Sequence, residues 1–181
     1  MQHVEGKTAF ITGGASGAGL GMAAAFLKNG MKVVLADIRR DSLTRAAEYF
    51  GHSPDVHALT LDVADRAAFA RAADEAEEVF GPVHILCNNA GINLFVPIEE
   101  CTYNDWDWVM GVNFGGVVNG IQTFVPRIRR HGQGGHIVNI ASHDGHLQPL
   151  YGIAFEERLE EHEVESLAGY RGMGPVRRGN L

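Results

Sequence analysis

Five short apolar runs separated by four segments of helical spacing restrict this 181-residue chain to very few architectures. The runs are 7–12, 32–36, 56–61, 83–88 and 136–140, each short and continuously apolar as in a strand buried on both faces. Between them lie helical patterns over 17–30, 41–50, 65–80 and about 103–130. The first carries Leu20, Ala23, Ala24 and Leu27 on one face and stops at Asn29-Gly30. The third places Phe69, Ala72, Ala76 and Val79 inward and Glu75, Glu77 and Glu78 outward. Strands alternating with helices predict repeated βαβ units, and so a parallel sheet covered by helices on both faces.

Composition sharpens this expectation by exclusion. Apolar residues make up 45% and charged residues 20%, enough for one real core and unlike a disordered chain. A net charge of −7 argues against nucleic acid or an anionic membrane as a main partner. The basic clusters Arg39-Arg40, 127–130 and Arg177-Arg178 are too short to change that. Cys87 and Cys101 have no metal spacing and read as buried, reduced thiols of a cytoplasmic protein. No leader pattern opens the chain, and no apolar run has the length of a membrane span.

The turn after the first run carries the first functional signal. Thr12-Gly13-Gly14-Ala15-Ser16-Gly17-Ala18-Gly19 joins a strand to a helix. Gly13 permits a sharp turn, Gly17 lets backbone approach a pyrophosphate, and Gly19 removes a side chain where helix meets strand. The helix start offers free N–H groups and the positive end of a dipole, worth about 0.3–1 kcal/mol toward an anion. Gly13, Ala15, Ser16, Gly17, Ala18 and Gly19 are therefore candidate phosphate-facing residues. Asp37 ends the second run, 20 residues past Gly17, where a carboxylate can accept hydrogen bonds from ribose hydroxyls. It would repel a 2′-phosphate, which favours NAD. Arg39 and Arg40 nearby keep NADP possible. The competing reading of Asp37 is a cap for the second helix.

With these residues in place the sequence resembles the short-chain dehydrogenase/reductase family from about Gly6 to Gly145. The glycine turn matches the family's TGxxxGxG form. Leu61-Asp62-Val63 is similar to the pair that holds the adenine, Asp62 by its carboxylate and Val63 by its backbone. Asn88-Asn89-Ala90-Gly91 matches NNAG, in which Asn89, Ala90 and Gly91 border the cofactor and steady the sheet. Asn113 falls where the family places an asparagine that organises a proton-relay water, and 137–142 resembles the strand ending in the catalytic Ser142. The resemblance implies a Rossmann-type doubly wound sheet. It also implies hydride exchange between a nicotinamide, NAD or NADP, and an alcohol or carbonyl substrate. Ser142 would hydrogen-bond the substrate oxygen, a tyrosine would act as acid/base, and a lysine four residues later would lower its pKa. A homodimer or homotetramer is implied as well.

The second half of that site departs from the pattern. Tyr151 is the first tyrosine after Ser142, and Phe155 stands where the lysine belongs. The lysines of the whole sequence are Lys7, Lys28 and Lys32. A free tyrosine titrates near pH 10, so bringing it to neutrality takes about 4 kcal/mol of differential stabilisation. Arg158 is wrongly spaced from Tyr151 to supply it from one helical face. The rhythm also stops after Leu150: residues 155–167 hold six glutamates and a thin apolar stripe. A segment is expected to be missing from the sequence near 150–155, with the edge of the fifth strand left open. The expected organisation is a dinucleotide-binding domain over 1–150 and an atypical, discontinuous segment over 151–181. An alternative follows, a chain that keeps the cofactor fold without turnover.

Other constellations are weaker. Ser142-His143-Asp144 cannot form a hydrolase triad, because neighbours at a strand end point to opposite sides. His143 with His146, and His131 with His136, lack further ligands, so no metal is expected. Trp106 and Trp108 are read as packing or subunit contacts. Phe114, Val117, Val118, Ile121 and Val125 are read as a dimer face or as packing on the sheet.

Overall fold

A computed structural model describes residues 3–94 and 96–141 in full and the backbone of two further strands, Glu156–Leu159 and Val164–Leu167. The strands are β1 (Thr8–Thr12), β2 (Lys32–Asp37), β3 (Val56–Thr60), β4 (Val83–Asn88), β5 (Gly135–Asn139), β6 (Glu156–Leu159) and β7 (Val164–Leu167). The helices are α1 (Gly17–Lys28), α2 (Arg40–Tyr49), α3 (Arg66–Phe80), α4 (Tyr103–Met110) and α5 (Gly116–His131). Sheet order is β3-β2-β1-β4-β5-β6-β7, and every pairing from β3 through β5 is parallel. This is the expected doubly wound body, with its chain reversal between β1 and β4.

Side-chain alternation along β1 builds a core on each face. Phe10 points to one side, against Phe69 of α3 and Phe124 of α5, with ring centroids 6.1 and 4.8 Å away. Ala9 and Ile11 point to the other, among Ala23, Val33, Leu35 and Leu43. Truncating any one of the three phenylalanines removes about 3–5 kcal/mol. Arg127 of α5 pairs with Asp74 and Glu77 of α3, tying the two helices over their shared core. The third helix departs from its pattern at one point: Val79 is 46% exposed, while Ala73 is buried with Phe69, Ala72 and Ala76.

The edge of β5 is covered. β6 runs antiparallel beside it, from Gly135 opposite Leu159 to Val138 opposite Glu156, and β7 pairs antiparallel with β6. The glutamate-rich stretch contributes backbone pairing rather than a helical stripe, which satisfies ladder groups an open edge would expose. Cys87 is buried as expected, and burial pushes its thiol up to about 12, which makes it inert. Cys101 is only partly buried, and its Sγ donates to the Pro97 carbonyl.

At the opposite end of the sheet from the glycine turn, His84 sits 5% exposed. Its Nδ1 accepts from the Thr8 amide at 3.3 Å, and its Nε2 meets the Gln133 side-chain oxygen at 2.9 Å. This pairing suits a neutral ring with its proton on Nε2. Burial holds the imidazole below its ordinary range, and the charges of Lys7 and His131 push the same way. The unfolded chain therefore takes up this proton first as pH falls, so the contribution is intact above about pH 6.5 and lost below it. Melting temperature is expected to drop between about pH 7.5 and 5.5. His84→Asn, whose Oδ1 replaces Nδ1 as acceptor, should flatten that drop. An equal slope in the variant would remove His84 from the account.

Candidate functional site

The C-terminal ends of β1, β2 and β4 meet at the chain reversal, and the glycine turn lies across them. Gly13 takes φ +62°, and a Cβ there would stand 3.0 Å from Ala90 Cα, so the turn is pressed against the loop after β4. A Cβ on Gly19 would overlap the Gly13 carbonyl. Gly17 differs: at φ +52° it opens α1, and a Cβ there meets nothing within 4 Å. Ser16 and Ala18 beside it are exposed and Ala15 is buried. Ser16 stands at the N-cap of α1 without a side-chain hydrogen bond, so its hydroxyl does not take the amides of the first turn. Two glycines here are fixed by close packing, and the third faces open space at a helix start.

Asp37, 9% exposed, links this turn to the end of β2. Its Oδ2 accepts from the Ala15 amide at 3.3 Å and its Oδ1 from the Arg39 amide at 3.0 Å. The helix-cap reading is not met: the N-cap position of α2 is Arg39, with no side-chain cap bond, and Asp37 braces the turn before it. The carboxylate keeps further lone pairs for hydroxyl donors. Arg39 turns its guanidinium to Asp41 at 3.4 Å, at the surface.

Asn89 is spent inside the protein. Its Nδ2 donates to the carbonyls of Thr12 and Gly13 at 3.0 and 3.1 Å, so it shapes the glycine turn. Thr12 answers it: the hydroxyl accepts from the amides of Asn89 and Ala90 and donates to the Cys87 carbonyl. Sequence reasoning gave Thr12 no role, although a hydroxyl ending a buried strand must find partners. Gly91 lies beside Asn113, its Cβ position 3.5 Å from the asparagine Oδ1.

Asn113 lies in a π-helical turn, Gly111–Gly115, that joins α4 to α5. The expected long helix is thus continuous with one widened turn, a feature frequent at functional sites. Asn113 Oδ1 accepts from the Ile92 amide at 2.8 Å, and Nδ2 donates to the Ile92 carbonyl at 3.0 Å. The helix is clamped to the loop after β4. Asp62 is exposed, with Oδ1 accepting from the Ala64 amide at 2.9 Å, and Val63 is buried beneath α5. The structure therefore brings the glycine turn, Asp37, Asn89–Gly91 and Asn113 together at one end of the sheet. Ser142, His143, Asp144, His146 and Tyr151 lie outside the described residues. Among the described residues no group of three or more His, Cys, Asp or Glu could hold a metal.

The family model for short chain dehydrogenases matches residues 7–155. The chain belongs to the short-chain dehydrogenase family. It is 50% identical over 149 residues to the C alpha-dehydrogenase of Sphingobium sp. strain SYK-6, covering 81% of this chain and 49% of that protein. The solved apo form of LigO from the same strain is 55% identical, with TM-score 0.76 over 79% of this chain and 54% of that one. A short-chain dehydrogenase/reductase from Burkholderia phymatum, solved in complex with NAD, is 40% identical with TM-score 0.77, covering 82% and 53% of the two chains. This short-chain dehydrogenase chain spans about half the length of the relatives it matches.

On α4 and α5 the apolar surface divides. Trp106 and Trp108 are exposed at 37% and 52%. Phe114 and Val118 are exposed too, whereas Ile121 and Val125 pack against the core. No helix among the described residues of this family member is long and apolar enough to cross a membrane.

Proposed function

We propose that the chain holds NAD along the ends of β1, β2 and β4 and serves hydride exchange with an alcohol or carbonyl substrate. The observation that carries this reading is Gly17, a left-handed glycine in open space at an uncapped helix start, with the Asp37 carboxylate fastened to the same turn. The amides of Gly17, Ala18 and Gly19 would face the phosphates, and Asp37 would accept from the adenosine ribose. Asp62 and the Val63 backbone would hold the adenine, with Ala90 and Gly91 along the cofactor's path. The bound nicotinamide supplies the hydride site; the chain supplies orientation and proton exchange. Ser142 would hold the substrate oxygen, and Tyr151, the first tyrosine after it in the sequence, would do acid/base work. Asn113, its side chain engaged by Ile92, would hold a relay water through its main chain. Assembly as a homodimer or homotetramer through the exposed α4–α5 face, in the cytoplasm, completes the proposal.

A second reading is favoured by one observation: Phe155 and Gly174 stand four residues after Tyr151 and Tyr170, where the family's pattern has a lysine. The chain would then bind the cofactor without turning it over. Titration by NADH fluorescence, followed by turnover with a panel of small alcohols, separates the two. Binding with turnover supports the dehydrogenase, and binding without it supports the second reading. The absence of binding heat with both NAD and NADP would overturn both.

A further inference from the structure

We infer that Asn119 is a positioning residue for the adenine end of the site, acting on the Asp62 carboxylate through the peptide between Val63 and Ala64. The inference rests on the nucleotide reading above and adds to it a residue that touches no ligand. Asn119 lies in the first turn of α5, just past the π turn that leads into it, and is 8% exposed. Asparagine forms helices less readily than leucine, and a buried amide without a partner is costly, so a polar residue here needs a reason. Its Nδ2 donates to the Val63 carbonyl at 2.8 Å and approaches the Ala64 carbonyl at 3.4 Å.

The other end of the same peptide unit is also held. The Ala64 amide donates to Asp62 Oδ1 at 2.9 Å. One hydrogen-bonded line thus runs from Asn119 through the Val63–Ala64 peptide to the exposed carboxylate of Asp62. Three residues before Asn119, Gly116 lets α5 come close enough that a Cβ there would stand 2.7 Å from Val63 Cγ2. The loop is seated by that contact and its peptide plane is set by Asn119. A peptide plane freed to rotate would carry the Asp62 carboxylate with it, because the carboxylate is anchored on that peptide.

Adenine offers Asp62 an amino group, and hypoxanthine offers a carbonyl oxygen in its place. A well-placed carboxylate therefore prefers AMP over IMP, by about tenfold for one charge-assisted hydrogen bond. In Asn119→Leu that preference should shrink to about twofold, while Asn119→His, which keeps an N–H donor at similar reach, should restore most of it. Isothermal titration with AMP and IMP reads the ratio, and thermal melting checks the fold. Should Asn119→Leu fail to fold, Asn119→Ser leaves room for water at the Val63 carbonyl and carries the same comparison. A folded variant that keeps the AMP preference overturns the inference, and so does an equal weakening of AMP and IMP, the mark of a merely structural residue. A wild-type chain that ignores AMP sinks the nucleotide reading, and the inference with it.

Discussion

Gly19→Ala is expected to destabilise the fold by about 1–3 kcal/mol and to abolish measurable NADH binding. The added methyl would overlap the Gly13 carbonyl and come within 2.8 Å of Asn89 Nδ2. Neither neighbour can retreat easily. Gly13 is already packed against Ala90 Cα, and its carbonyl accepts from Asn89. Asn89 in turn holds Thr12, so the strain spreads to the ends of β1 and β4 together. Gly21→Ala supplies the control in the same helix. Gly21 is exposed with nothing near its Cβ position, and alanine there should be neutral or stabilising by up to about 1 kcal/mol. Urea unfolding and NADH titration on both variants give the comparison. If the two variants behave alike, close packing at Gly19 is not what shapes the turn.

The contrast between these two glycines also marks how far sequence alone reaches. Strands β1, β2 and β4 were legible because a strand buried on both faces must be apolar throughout, and Ala9, Phe10 and Ile11 are all fully buried. The glycine turn and Asp37 were legible because their chemistry is local, a few residues at fixed spacing. What stayed hidden was contact between distant segments. Thr12 and Asn89 are 77 positions apart, and Asn119 reaches Val63 across 56. Periodicity reports which face of an element is buried, not which atom a buried amide will meet. Val79 shows the same limit: it lies at the side of the buried stripe of Phe69, Ala72, Ala73 and Ala76, and the next residue, Phe80, packs against the core. The π turn at Asn113 left only indirect traces, glycines at 111, 115 and 116 inside a helical pattern. The strands β6 and β7 were illegible because their glutamates mask any alternation, and their order comes from β6 pairing with β5 and β7 with β6.

Asp37→Ala is expected to weaken NADH about 10- to 150-fold, the span of a lost charged hydrogen bond of about 1.5–3 kcal/mol. NADPH should be affected in the opposite sense. The carboxylate that repels a 2′-phosphate is gone, and Arg39, only 3.4 Å from the exposed Asp41, is free to turn toward it. Part of the loss for NADH has a structural origin, because the Ala15 and Arg39 amides both lose their acceptor. That part loosens the glycine turn for both nucleotides equally. The ratio of the two affinities cancels it and isolates the direct contact with the ribose. Titrating wild type and variant with NADH and NADPH should therefore show the ratio moving at least tenfold toward NADPH. A ratio that stays put while both affinities fall would mean that Asp37 acts only as a brace between β2 and the turn. Discrimination between the two nucleotides would then have to come from elsewhere on the loop after β2.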